Sequence, residues 1–330
     1  MKQTLESLYN QHTLDRKEAG ILLGHMAEGR YNEAQIASFL TVFQLRGITL
    51  EELIGFRQEL LARCKAVDLS DYDPVDLCGT GGDGKDTFNI STLSAFVVAG
   101  AGIKVAKHGN YAVSSTCGSS NVLEALGYRF HSDETRLRQE LERSNICFLH
   151  APLFHPAMKA VGPVRRNLGV RTFFNMLGPL VNPAFPKKQL VGVFSLELQR
   201  FYQYLFQQSE ATSYRIVHSL DGYDEISLTG PVKVVGPEGE SVLEPGDFGF
   251  QPIDQEDLFG GKTIEEAVQL FVNVLDGKGS EAQQAAVISN SAMAISCAKP
   301  ELHFDECMAA AMESLQSGKA KTALTQLVQS

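Results

Sequence analysis

The sequence predicts an α/β fold: a small all-helical domain plus a larger α/β domain with a mostly parallel central sheet flanked by helices. Three observations carry this expectation. Apolar residues recur at helical spacing through residues 1 to 67, strand-like and helix-like segments alternate from residue 75 onward, and a glycine-dense run stands where the first of those strands meets a helix. A chain of 330 residues that is 44% hydrophobic has enough apolar material for one large core or two smaller ones.

The helical block is read from Ile21, Leu22, Leu23 and Met26, then Ile36, Phe39, Leu40, Val42 and Phe43, then Leu53, Ile54, Phe56, Leu60 and Leu61. Asp68 to Pro74, with three acids and a proline, breaks it and sets an expected domain boundary near residue 70. The alternation that follows runs strand 75 to 78, helix Ser91 to Ala101, strand Ile103 to Ala106, helix Asn121 to Leu126, helix Glu134 to Arg143 and strand Ile146 to His150. A helix-like insertion, Pro156 to Leu168, and the segment Arg171 to Leu180 interrupt it and could rejoin the N-terminal helices. Strand Gln189 to Phe194, helix Leu196 to Gln208 and strand Tyr214 to Ser219 resume the sheet. Residues 226 to 252 suggest antiparallel strands at its edge, and two or three helices are expected between 263 and 316.

Composition narrows the function. A net charge of −10 argues against a nucleic-acid partner, so a site for a phosphorylated ligand has to be a local concentration of donors. The apolar runs are too short or too interrupted to span a bilayer and the N-terminus lacks a signal peptide's apolar core, which makes the cytoplasm the expected location. Six cysteines at irregular spacings (64, 78, 117, 147, 297 and 307) fit reduced thiols better than disulfides or a zinc site.

Three expected strands end in loops with unusual chemistry. The first runs into Gly79-Thr-Gly-Gly-Asp-Gly-Lys85, the second into Lys107-His-Gly-Asn110, and the third into Asp221-Gly-Tyr-Asp-Glu225. In a parallel sheet those ends share one edge, where ligands of open α/β sheets bind. Glycines let backbone amides approach an anion, and the helix start behind them offers unpaired N–H groups. The run fits the dinucleotide fingerprint through Gly79, Gly81 and Gly84, but Lys104 and Lys107 stand where a ribose-binding acid is needed. It fits a Walker A loop as far as Lys85, but Asp86 replaces the magnesium-binding hydroxyl. Both nucleotide readings lose ground.

Other features carry two readings each. Asn89-Ile-Ser-Thr92 is a helix cap, compatible with phosphate binding, and Ser114 to Asn121 is a polar loop leading to a second helix start, with Asn121 and Glu124 resembling a capping box. His108 is more often a hydrogen-bonded structural residue than a catalyst. Asp224-Glu225 is either a solvated acidic turn or a pair of hard oxygen ligands for magnesium. Arg165 and Arg166 form a solvated helix face or, if the insertion borders the pocket, offer a guanidinium to a substrate carboxylate.

Assembled in order along nearly the whole chain, these motifs resemble the anthranilate phosphoribosyltransferases of tryptophan biosynthesis. The resemblance rests on Gly79-Thr-Gly-Gly-Asp83, Asn89-Ile-Ser-Thr92, Lys107-His-Gly-Asn110, Gly118-Ser119 with Val122 to Gly127, Gly169-Val-Arg-Thr172 with Phe174-Asn175 and Leu177-Gly-Pro-Leu180, and Asp224-Glu225. It implies an enzyme that transfers a pentosyl group from phosphoribosyl pyrophosphate to anthranilate. It implies a helical domain of residues 1–70 with the inserted 155–180, an α/β domain of 71–154 and 181–330, the active site between them, and a homodimer through the helical domains. By resemblance, Gly79, Gly82, Asp83, Thr87, Asn89, Ser91, Thr92, Lys107 and Ser119 hold the phosphoribosyl donor. Gly79, Asn110 and Arg165 meet anthranilate, and Ser91, Asp224 and Glu225 hold Mg²⁺. No residue is assigned as an acid or base catalyst. Two positions depart from the family pattern: Tyr111 stands where an arginine usually follows Lys-His-Gly-Asn, and Gly118-Ser-Ser-Asn121 replaces Gly-Ser-Ala-Asp. A related pyrimidine nucleoside phosphorylase, a P-loop nucleotide hydrolase and a non-catalytic phosphate-binding module are the alternatives.

Overall fold

A computed structural model describes residues 1–112, 116–209 and 213–329. Ser114 and Ser115 of the polar loop lie outside the described residues. The first 62 residues form four helices, Lys2–Tyr9, Arg16–Ala27, Glu33–Arg46 and Leu50–Ala62. Three of them start at side chains that cap reciprocally, Asp15 with Glu18, Asn32 with Gln35 and Thr49 with Glu52, each pair satisfying two otherwise unpaired N–H groups. Their core is aromatic, and the insertion completes it. Phe173, from the short helix Phe173–Leu177, stacks on Phe56 at 4.5 Å and meets Phe39 and Phe43 edge-on.

Among the described residues the sheet has seven strands: β1 Val75–Gly79, β2 Val105–Gly109, β3 Ile146–His150, β4 Lys188–Gly192, β5 Ser213–Ser219, β6 Val232–Gly236 and β7 Gly239–Leu243. Their order is β3-β2-β1-β4-β5-β6-β7. The first five are parallel, with Val75 opposite Val105 and Lys188, and β6 and β7 extend the edge antiparallel as the sequence suggested. The chain winds outward from β1 through β2 to β3, then restarts on the other side of β1 with β4. This reversal places a topological switch point at the carboxyl ends of β1 and β4.

Helix Ile90–Gly100 lies almost wholly buried against the sheet, shielded by helices Glu281–Ala298 and Lys319–Val328. The opposite face merges with the aromatic core through Val191, Val193, Tyr202 and Ile216. No helix among the described residues is long and apolar enough to cross a membrane.

Three expectations need correction. The second strand begins at Val105 rather than Ile103, and Lys107, His108 and Gly109 lie within it because its pairing with β3 continues to Gly109 opposite His150. The Pro156 to Leu168 stretch is not one helix: a 3-10 turn, Pro156–Lys159, precedes helix Gly162–Leu168, where Pro163 fits the first turn because its missing N–H has no helical partner there. The closing helices do not end at 316: three lie between 263 and 316 as expected, and a fourth follows them. The last, Lys319–Val328, follows Gly318 at φ +78° and buries Ala320, Ala323, Leu324 and Leu327 at helical spacing.

Candidate active site

The carboxyl ends of β1, β2 and β5 open onto a single cavity of about 270 Å³. Every donor, acceptor and metal residue expected from the sequence lines it. Gly79, Gly82, Asp83, Thr87, Asn89, Ser91 and Thr92 come from the glycine run and the helix behind it. Lys107, Asn110 and Ser119 come from β2 and the loop after it, Asp224 and Glu225 from the loop after β5, and Arg165 from the insertion.

The glycine run needs its glycines at two places. Gly82 has φ +75°, and a Cβ there would come within 2.6 Å of the Arg171 side chain. At Gly79 a Cβ would lie 2.5 Å from Asp224 Oδ2. With no side chain there, the Asp224 carboxylate reaches under the loop and accepts from the Gly81 N–H at 2.6 Å. Past the loop, Phe88 N–H donates to Leu258 O at 2.9 Å and Gly260 N–H to Asp86 O at 2.9 Å, so residues 258–260 clamp the run's far end. The Gly260-Gly261 pair, lying between the 226 to 252 region and the closing helices, is the sequence signal that could have found this clamp.

Asn89 stands at the N-cap of helix Ile90–Gly100 without capping it, because its Nδ2 donates to Cys117 O at 3.0 Å. The simple capping reading is thereby overturned: the Asn89 amide ties two cleft loops together, and the helix start is met instead by the Glu225 carboxylate, which accepts from the Ser91 N–H and hydroxyl. Asn121 does not open a capping box with Glu124; it sits at the third helical position and caps back onto Gly118. The second helix runs Ser119–Ala125 with Gly118 at its N-cap, and Asn121 Oδ1 accepts from Gly118 N–H at 3.0 Å and Ala112 N–H at 2.9 Å.

One wall of the cavity is acidic. Asp224 is buried, and burial together with Asp83 and Glu225 raises its pKa well above the carboxylate range. Burial likewise pushes Glu225 up to about 7, against the favourable charge of Lys107 and hydrogen bonds from Ser91. Asp83 Oδ2 is buried with no hydrogen-bond partner. Lys107 is itself buried, its Nζ donating to Leu77 O at 2.5 Å, so it supplies charge behind the acids. Lys85 does not reach into the cradle as a Walker lysine would; its ammonium lies 4.5 Å from the centre of the Tyr223 ring.

The facing wall buries bases. Arg165 lies over Phe174 at 5.3 Å, donates to Asn175 Oδ1 at 3.3 Å and leaves Nε buried without a partner. Burial lowers its pKa to about 10. Arg166, the other candidate, is exposed and not part of the lining. His108 is bound through Nδ1 to Gly178 O at 3.0 Å, and burial, reinforced by His155, lowers its pKa to about 3. A ring held this firmly neutral fits the structural reading of His108. Tyr111, in place of the usual arginine, turns its hydroxyl to Glu124 Oε1 at 3.3 Å and sets its ring against His150 at 4.8 Å.

The acidic wall fits a divalent cation held jointly with a ligand. Among the described residues no three His, Cys, Asp or Glu side chains converge as a self-sufficient metal cage. Buried carboxylates with raised pKa values and an unsatisfied oxygen instead suit magnesium, which is commonly bound by one or two carboxylates plus substrate phosphates.

Comparison with known proteins bears on this arrangement. Residues 2–64 match a glycosyl transferase family helical bundle domain and residues 71–321 the a/b domain of the same family. An anthranilate phosphoribosyltransferase of Flavobacterium johnsoniae is 55% identical over 330 residues, covering 99% of this chain and 98% of the relative. The anthranilate phosphoribosyltransferase of Saccharomyces cerevisiae in complex with PRPP and Mg superposes with a TM-score of 0.88 at 27% identity, covering 98% of this chain and 96% of that one. The same yeast protein in complex with 4-fluoroanthranilate gives 0.85 at 25% identity, covering 98% and 95%.

Proposed function

The chain belongs to the anthranilate phosphoribosyltransferase family, and from that membership we propose that it transfers the 5-phosphoribosyl group of phosphoribosyl pyrophosphate to the amino group of anthranilate, a step of L-tryptophan biosynthesis. The products are N-(5-phosphoribosyl)anthranilate and pyrophosphate. The observation that carries this reading is the pairing of opposite charges across one cavity: acids beside a glycine cradle on one wall and a buried guanidinium on the other.

In this reading Gly79, Gly82, Asp83, Thr87, Asn89, Ser91, Thr92 and Ser119 hold the donor through backbone amides and short polar side chains, with Lys107 adding charge from behind. Ser91, Asp224 and Glu225 would hold Mg²⁺, which when bound neutralises charge on the leaving pyrophosphate. Arg165 takes the anthranilate carboxylate, and Gly79 and Asn110 border its ring and amine. The aniline nitrogen is neutral near pH 7. Its lone pair forms the new bond to ribose C1 as the C1–O bond to pyrophosphate breaks, the bonding electrons leaving with pyrophosphate and one amine proton passing to solvent. No side chain has to act as a strong base. The two walls contribute proximity and an oriented field for the departing anion.

The same reading assigns residues 1–70 with 155–180 to a helical domain and 71–154 with 181–330 to the donor-binding domain, and places a homodimer contact on the helical domain and the enzyme in the cytoplasm. Tyr9, Ile21 and Leu45 expose 56%, 46% and 82% of their surface there, apolar area that a partner copy would cover. The decisive experiment mixes the protein with anthranilate, phosphoribosyl pyrophosphate and Mg²⁺ and follows anthranilate fluorescence. Loss of signal that depends on the donor is expected; no loss at high enzyme concentration rejects the function.

A further inference from the structure

Arg171 has no part in the roles above, yet it joins three pieces of the molecule. It sits between helices Gly162–Leu168 and Phe173–Leu177. Its Nη1 donates to the carbonyl of Gly82, and its guanidinium lies over the Phe194 ring at 4.7 Å, just past β4. Its own backbone carbonyl accepts from Gln44 Nε2, on the N-terminal helix Glu33–Arg46. Its aliphatic stem fills the space beside Gly82, where a Cβ would come within 2.6 Å of Arg171 Cδ.

The next residue extends the chain of contacts to the opposite wall. Thr172 N–H donates to Asn175 Oδ1 at 3.2 Å, the same oxygen that Arg165 Nη2 reaches at 3.3 Å. The glycine loop and the buried guanidinium are therefore tied to consecutive residues of one strap, which is itself anchored to the helical layer by Gln44. A shift of the strap moves both walls together.

We propose that Arg171 is a positioning residue that holds the glycine loop in register with the helical layer and with Arg165. The inference rests on the transferase reading for its kinetic consequence, not for its geometry. Fixing Gly82 O orients the neighbouring peptides, and those peptides are the donors the cradle offers to pyrophosphate. A loop released from Arg171 has to be ordered by the donor itself, so part of the binding energy is lost to ordering.

Two measurements test this. In steady-state kinetics Arg171→Ala is expected to raise KM for phosphoribosyl pyrophosphate about tenfold, as for loss of one charged hydrogen bond. kcat at saturating donor and thermal midpoint should change little, and Arg171→Lys, which keeps a donor for Gly82 O but not the planar stacking on Phe194, should recover part of the loss. Gln44→Ala should show a smaller effect of the same kind, and the double variant should be no worse than Arg171→Ala alone. An unchanged donor KM, or a fall in kcat and stability without a donor KM effect, overturns the proposal. The second measurement is amide hydrogen exchange across residues 80–86 in the ligand-free protein, expected to accelerate in both single variants. Unaltered exchange also overturns it. A wild-type protein that fails to consume anthranilate while its Arg171→Ala variant shows accelerated exchange would reject the transferase reading and leave the strap standing.

Discussion

The two walls of the cavity bury charge of opposite kind, and each does so at the expense of its own side chains. On the donor wall Asp224, Glu225 and Asp83 crowd together, with pKa values of the first two raised by burial and mutual repulsion. On the acceptor wall Arg165 and His108 are pushed the other way, to about 10 and about 3, because burial disfavours their charged forms. A donor wall of this kind is completed by a cation and an acceptor wall by an anion. The contrast teaches that the protein is arranged around charges it does not itself contain, which is how a site exchanges stability for function.

The strongest way to break the contrast is to reverse the donor wall. Asp224→Lys or Glu225→Lys is expected to abolish magnesium-dependent turnover, and retained activity would remove the metal role. Asp224→Asn is more informative, because it deletes one of the crowded charges while keeping the shape. It should lower kcat/KM by at least about a hundredfold, the scale of losing a group aimed at the charge that develops in the transition state. It should also raise the thermal midpoint of the ligand-free protein. If the midpoint falls instead, the donor wall is not strained by like charges.

The acceptor wall gives a smaller, more selective effect. Arg165→Ala should raise KM for anthranilate by roughly ten- to a hundredfold, the range for a hydrogen-bonded charged group, with donor KM nearly unchanged. Equal loss on both substrates would dissolve the division between the walls, and unaltered anthranilate kinetics would remove Arg165 from the acceptor site.

How much of this was legible in the sequence follows from the range of each interaction. The strand and helix alternation and the shared edge of the chemistry-bearing loops were readable because hydrophobic period and strand order are local or rule-bound. Details set by partners distant in sequence were not. Lys107 reads as a cation for phosphate, but its ammonium is taken by Leu77 O on the neighbouring strand. Asn89 has the residue type of a cap, but Cys117 O draws its amide away, and Asn121 caps from the third helical position onto Gly118 rather than opening the helix itself. Arg171 was visible only as one letter of a motif, since its partners Gln44 and Gly82 lie 127 and 89 positions away. The final helix was missed because Gly318 reads as a stop, although the apolar spacing beyond it marks another buried face.

The smallest expected effect is also the one that sees both walls at once, through the pH dependence of ligand-free stability. On the acidic side Glu225 rises from 4.5 to about 7 and buried Asp76, on β1 behind the cavity, where it accepts from the His108 N–H, from 3.8 to about 6. The folded state therefore holds protons that the unfolded chain has released, and stability falls as pH rises through that window. On the basic side His108 drops from 6.5 to about 3 and His150 to about 4, both chiefly through burial. Here the unfolded chain binds the extra protons, so stability is present above pH 6.5 and is lost as pH falls toward the folded values. Between about pH 4.5 and 6 the two trends oppose, and each proton difference is worth about 1.4 kcal/mol per pH unit. The wild-type thermal midpoint should therefore vary little across that interval. His108→Gln removes one proton difference from the basic side, so its midpoint should decline with rising pH relative to wild type. Asp76→Asn removes one from the acidic side and should tilt the profile the other way. Thermal melts of the three proteins at half-unit pH steps decide the matter, and parallel profiles would show that the opposed charges of the two walls do not reach the stability of the fold.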